Sequence, residues 1–145
     1  MRAVVTRVSS ASVAVDGAAV GTIGKGYLIL LGVGPGDSEA VCEKLAEKIC
    51  NLRIFEDENG KMNRSLEQVG GEILVVSQFT LYADTSSRRP GFSGAAKPGL
   101  AVPLYERFLD CCRARGFRVE HGQFGAHMDV SSVNDGPVTI LFDTD

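Results

Sequence analysis

Tryptophan is absent from this chain, histidine occurs only twice, and no apolar run comes near the length of roughly 18 residues that a membrane-spanning helix needs. His121 and His127 are therefore the only imidazoles available for acid–base or metal chemistry. Four cysteines are present, but Cys42 and Cys50 lie eight apart and Cys111 and Cys112 are adjacent. Neither pair has the CxxC or i, i+4 spacing that sets ligands around one zinc, so no metal and no cofactor is expected. The cysteines read instead as small buried hydrophobes of a reducing compartment. The opening MRAVVTRVSSASVAV alternates and is interrupted by Arg7, unlike a signal peptide. A cytoplasmic protein without membrane attachment is the expectation.

Sequence engines of the common enzyme classes are missing too. No GxGxxG, Walker loop, GxSxG elbow or HExxH motif occurs. If the chain is an enzyme, its chemistry rests on something other than a standard side-chain constellation. The net charge of −3 and a pI of about 5.4 argue against general affinity for nucleic acid, DNA included, and leave room for a local basic patch.

What is present describes one domain, residues 1–145. At 44% hydrophobic the chain can bury a core of ordinary size. AVVTRVSSASVAVDGAAVGTIG reads as several short strands with a hairpin at Asp16-Gly17. The apolar GYLILLGV predicts a central strand buried on both faces. Asp37 or Ser38 is placed to cap a helix whose stripe is Val41, Leu45, Ile49 and Leu52. LRIF returns to strand character, and a second helix is expected from about Val102 to Arg115, stopping at Gly116. FRVEHGQF, HMDVSSV and PVTILF supply further strands. The pattern is α+β, mostly antiparallel sheet with two packed helices.

Two segments carry the chemistry. EILVVSQFTLYAD starts apolar and changes at Ser77, so a continuing strand would aim Ser77 and Phe79 one way and Gln78 and Thr80 the other. Near the C-terminus, VNDGPVT sets a turn signal against Pro137 immediately before an apolar strand. A Gly-Pro pair offers no Cβ and no N–H there, only backbone carbonyl at close range. On the residues alone its peptide bond would be read as trans.

SQFTLYAD at Ser77–Asp84 and NDGPVT at Asn134–Thr139, with NLRIFEDENGKMN, the RRP loop and RAVVTRVSSASVAVDG, resemble the D-aminoacyl-tRNA deacylase family across essentially the whole chain. The stretch between Asp84 and Arg88 is short against the family's usual loop. The resemblance implies a barrel-like sheet, a cytoplasmic homodimer, and hydrolysis of the ester joining a D-amino acid to the 3′ end of tRNA, a step of chiral proofreading in translation quality control. It implies that Ser77, Gln78, Phe79 and Thr80 form the catalytic segment. It further implies a cis Gly136–Pro137 bond whose carbonyls enter the partner subunit's pocket as a selectivity filter. Glycine, lacking a side chain, would pass such a filter, so glycine mischarged on an alanine tRNA would be cleaved as well.

Thr80 is a tempting nucleophile, yet a threonine on a strand is ordinarily there for its shape, and no acid or base stands beside it in sequence. Ser77, Gln78 and Thr80 are read as positioning groups, with water and the substrate's 2′-hydroxyl completing the chemistry. Arg88, Arg89 and Lys97 are candidate phosphate contacts. Phe79, Phe92 and Phe124 are candidate stacking surfaces for the terminal adenine, with Met128, Asn134 and Thr139 completing the substrate and tRNA-binding set. Two other readings stay open: a non-catalytic dimeric module that binds aminoacyl-tRNA or a small ligand, and a general esterase.

Overall fold

β-Branched and apolar residues alternate with polar ones from Arg2 onward, and they form a single strand, β1 (Arg2–Val15), rather than several. The computed structural model describes all 145 residues. β2 (Ala18–Ile23) folds back from β1 through Asp16 and Gly17, both at positive φ. β3 (Gly26–Gly32) runs beside the first half of β1. Helix α1 (Glu39–Cys50) starts at Ser38, whose hydroxyl accepts the Val41 N–H at 3.3 Å. A small hairpin follows, β4 (Phe55–Glu56) and β5 (Met62–Arg64). Then come β6 (Glu72–Ser77), a 3-10 helix (Phe79–Tyr82), α2 (Pro98–Ala114), β7 (Val119–His121) and β8 (Asp129–Asp143).

Helix α2 begins four residues before its expected start, because Pro98 at the first position lacks only an N–H that a helix start leaves unpaired anyway. HMDVSSV and PVTILF are likewise two halves of the one strand β8. LRIF contributes only the short β4.

The main sheet runs β2-β1-β3-β6-β7, with β8 on the other edge of β1. Pairings of β1 with β2, β3 and β8 are antiparallel, and β3-β6-β7 is parallel. The architecture is thus α+β, mainly antiparallel, with two helices. β1 changes partner midway: Arg2 to Val8 pairs β3, and Ala11 to Val15 pairs β2. That bend swings β2 across the sheet until a Cβ on Gly21 would stand 2.9 Å from the His121 carbonyl and 3.1 Å from Leu74. The sheet thereby nearly closes on itself.

Closure makes two cores. Inside the curve lie Val8, Val13, Ile23, Leu28, Leu74 and Val76. On the other face, α1 and α2 cover Val5, Ile29, Leu31, Ile73 and Val75 with Leu45, Ile49, Leu104 and Phe108. Three of the cysteines are buried in this second core and Cys111 lies half-buried, all as free thiols. Cys50 and Cys112 face each other at 3.8 Å, well beyond a disulfide bond.

Phe108 is fully buried between the helices and the sheet. Phe108→Ala is expected to lower stability by about 3–5 kcal/mol, read as a lower urea midpoint with an unchanged slope. A loss below about 1 kcal/mol would show that this core tolerates the void.

Candidate functional site

The apolar run of β6 ends at Ser77, and the chain does not continue as a strand. Gln78 still bonds Leu31 O through its N–H at 2.8 Å, but Phe79 to Tyr82 turn into the 3-10 helix. The alternation expected for Ser77 to Thr80 therefore stops at its first residue. The reason lies in β3, where a Cβ on Gly32 would approach Gln78 O to 3.0 Å and Leu81 Cβ to 3.2 Å. A bare glycine there lets the turn lie flat across the strand end. Arg2 fastens it: Nη1 donates to Leu81 O at 2.8 Å, and the guanidinium sits 4.4 Å from the Tyr82 ring centre. Arg2 also faces Asp143 of β8 at 3.3 Å.

On this turn the Gln78 side-chain amide donates to the Thr80 hydroxyl. An amide is not a base, and neither histidine reaches Thr80. His121 Nδ1 lies 2.6 Å from Gly122 O, and His127 lies 3.9 Å from Asp129. Thr80 is thus held as a hydrogen-bonding group without an activating partner.

Beyond the turn, Asp84 and Gly91 exchange backbone hydrogen bonds at 2.8 and 2.9 Å and fold the loop back. The Phe92 ring then meets Phe79 edge-on at 5.1 Å, leaving Phe79 56% exposed. Arg88 and Arg89 stand at the tip of this loop, and Lys97 follows where α2 begins. All three are exposed and none takes part in an ion pair. Positive charge missing from the protein as a whole is therefore concentrated beside the SQFT turn.

The second motif is built on β8. Thr6 pairs Thr139 and Val8 pairs Asn134, so four residues of β8, Asp135 to Val138, oppose the single residue Arg7. Asn134 staples this excursion at its base: its Oδ1 accepts Val138 N–H at 2.9 Å, and its Nδ2 donates to Thr139 Oγ1 at 3.2 Å. Gly136 and Pro137 are exposed at the tip, and their peptide bond is cis.

Arg7 props the excursion from behind. It is buried, with Nε donating to Asp135 O at 2.9 Å and Nη1 to Ile54 O at 2.7 Å. The carboxylates of Asp135 and Glu56 stand 3.5 and 3.9 Å from the guanidinium. The sequence reading missed this residue, although its signal was there. Ala3, Val5 and Arg7 share one face of β1, and an arginine on an inward row demands partners.

Phe124 packs against Tyr105 of α2, with ring centres 5.7 Å apart, at one end of a cavity of about 590 Å³ between α2 and β7. Burial pushes the Tyr105 hydroxyl up to about 12, so it stays protonated and donates to Val75 O at 3.3 Å. This fixes the cavity two residues upstream of Ser77. Met128 packs toward Gly122 and the inner core, while Arg7 and Asn134 hold the Gly-Pro segment.

The two motifs do not meet within one chain. Ser77 lies in the row of Leu31 and Ala3, whereas Gly136 and Pro137 lie at Arg7, four residues along β1 and three strand spacings across. Followed along the sheet, that path is about 20 Å.

The family model described as D-Tyr-tRNA(Tyr) deacylase matches residues 4–143. This chain belongs to that family. Its relatives include a D-aminoacyl-tRNA deacylase of Symbiobacterium thermophilum, 58% identical and aligned over 100% of this chain and 97% of that protein. Another, from Roseiflexus castenholzii, is 62% identical over 99% of this chain and 92% of its own length. Among solved structures, a c-Myc DNA unwinding element binding protein superposes with a TM-score of 0.93 at 42% identity, covering 100% of this chain and 99% of that one. A probable eukaryotic D-amino acid tRNA deacylase, 20% identical, has the same fold, with a TM-score of 0.83 over 97% of each chain.

Removing the Arg7 fork leaves two backbone carbonyls without a donor beside two carboxylates. Arg7→Ala is expected to cost about 3 kcal/mol in urea unfolding, and Arg7→Lys to recover less than half, since a single ammonium cannot reproduce the fork. Full recovery by lysine would mean that charge alone, and not geometry, is what the excursion uses.

Proposed function

We propose that this chain is a homodimeric D-aminoacyl-tRNA deacylase of the cytoplasm, an ester hydrolase that discharges D-amino acids from the 3′ end of tRNA. The observation that carries the reading is that the SQFT turn and the Gly136–Pro137 tip lie three strands and four residues apart in the sheet of a single chain, about 20 Å along it. Each looks like half a site. β8 supports the pairing of two copies, since it bonds only β1, and Val133 and Leu141 on it are 57% and 76% exposed. An open edge of that length is normally covered.

In the dimer the tip of one subunit closes the pocket formed by the turn of the other. D- and L-esters carry identical groups, so discrimination has to be steric, once ammonium and carbonyl are fixed. Main chain braced by Arg7 and Asn134 makes a wall that cannot swing aside for the wrong enantiomer. Glycine presents nothing for the wall to reject, so glycine mischarged on an alanine tRNA is a substrate too.

Chemistry at the turn is positioning. Water attacks the ester carbonyl carbon, the bond to the ribose 3′ oxygen breaks, and the free amino acid and tRNA leave. The neighbouring 2′-hydroxyl orients the water, and main-chain groups around Phe79 hold the ammonium and the developing oxyanion. A well-placed oxyanion donor contributes about 10² to 10³ in rate, enough for an ester that is already activated. Phe124 stacks on the terminal adenine, and Arg88, Arg89 and Lys97 receive phosphates.

The deciding experiment is turnover of D-tyrosyl-tRNA and L-tyrosyl-tRNA at catalytic protein concentration. Selective release of the D-amino acid is expected, whereas protection of both esters would identify a binding module. Thr80→Ala should keep activity within about tenfold, while a substrate ending in 2′-deoxyadenosine should lose at least about 10². The opposite pair of results would make Thr80 the nucleophile. The double variant Arg88→Ala with Arg89→Ala should raise KM at unchanged kcat and flatten the salt slope by about two. An unchanged slope would move the tRNA to another face.

A further inference from the structure

Resting on the deacylase reading, the cavity beside β7 is longer than the terminal nucleoside can fill. Its α2 wall extends from Val102 to Arg113, a rise of about 16 Å along the helix. A stacked strand advances about 3.4 Å per nucleotide, so the terminal base at Phe124 occupies only the end nearest Ser77. The groove is also lined by Val20 and Leu109, by Glu106 and Gln123 next to the Tyr105–Phe124 pair, and by Asp110 and Arg113 further along α2.

The part of the groove that runs on from Tyr105 and Glu106 toward Arg113 has the makings of a base site. Val20, 47% exposed, offers apolar contact to a ring, and the planar Arg113 guanidinium offers a face on which a base can stack. Glu106 is exposed, forms no ion pair, and presents a carboxylate that can only accept hydrogen bonds. Arg113 is tied only to Asp110, at 3.7 Å and at the surface, a contact weak enough to be exchanged for a phosphate. Gln123 supplies both a donor and an acceptor. His121 has its Nδ1 engaged by Gly122 O, which leaves Nε2 of the neutral ring as a further acceptor. Acceptors concentrated on one wall fit a base that displays an exocyclic amine, and among pyrimidines that is cytosine.

We propose that the groove between α2 and β7 holds the penultimate nucleotide of the tRNA 3′ end, with Glu106 accepting from the cytosine amine and Arg113 meeting the adjoining phosphate. The cytidine-cytidine-adenosine end common to mature tRNAs places a cytosine there in every charged tRNA. A site of this kind lets the enzyme grip any tRNA without reading the amino acid's side chain or the tRNA body.

The test compares two D-tyrosyl esters, one on adenosine and one on the dinucleotide cytidylyl-adenosine. Wild type is expected to prefer the dinucleotide by about tenfold or more in kcat/KM, and to lose most of that preference when uridine replaces cytidine. Glu106→Gln combined with Arg113→Ala should bring the ratio of the two substrates to within about twofold; any general effect of the substitutions on ester cleavage cancels in that ratio. A wild-type ratio near one, or a ratio that survives the double substitution, overturns the proposal. A fluorescent cytidylyl-adenosine titration separates it from the deacylase reading. If no D-ester is cleaved, yet the dinucleotide binds wild type and not the variant, the deacylase reading falls and the groove assignment stands.

Discussion

β1 is bonded along both edges, to β3 and then β2 on one side and to β8 on the other, and its register decides where every functional segment falls. Arg2, at its start, reaches the SQFT turn, and Arg7, five residues on, carries the Gly-Pro excursion. Both arginines act through backbone carbonyls, so each holds a shape without supplying a reacting group. Because β1 pairs on both sides, a slip of one residue would turn Arg7 outward and bring a neighbouring side chain to the inner row. The site is therefore only as well defined as this one strand's pairing.

A second theme is how little ionisable chemistry the site uses. Thr80 is bonded by an amide, His121 is engaged by a carbonyl, and the buried guanidinium of Arg7 is spent on structure. What remains near the turn is hydrogen-bonding capacity, exposed aromatic surface at Phe79, and unpaired cations in the following loop. That composition suits a substrate which brings its own activation and its own negative charge. It also reconciles an acidic protein with an RNA partner, since the positive charge needed is local.

Much of the fold could be read from the residues because the signals were local. Ser38 as a cap, the buried run of β3, the turn at Asp16-Gly17 and the stop at Gly116 all depend on neighbours a few positions away. Errors gathered where distant contacts decide. That β1 is one strand, and that HMDVSSV and PVTILF are one strand, follows from their mutual pairing across bulges. The turn at Phe79 follows from a glycine on another strand, far away in sequence. The second helix was expected only from about Val102 because the place of Pro98 at its first position depends on the helix itself. The site showed the same division: SQFT and NDGPVT stood out as words, whereas Arg7 and Arg2, which hold them, looked like ordinary strand polar residues.

The stapled excursion in β8 has an implication for how such a protein can vary. Ladder bonds at Asn134 and Thr139 close its base, so the tip is isolated from the strand on either side. Changes at the exposed Pro137 are absorbed there, whereas Asp135 and Val138 remain tied to Arg7 and to the main core. The curved scaffold and the exposed Gly136–Pro137 tip can thus vary independently of each other.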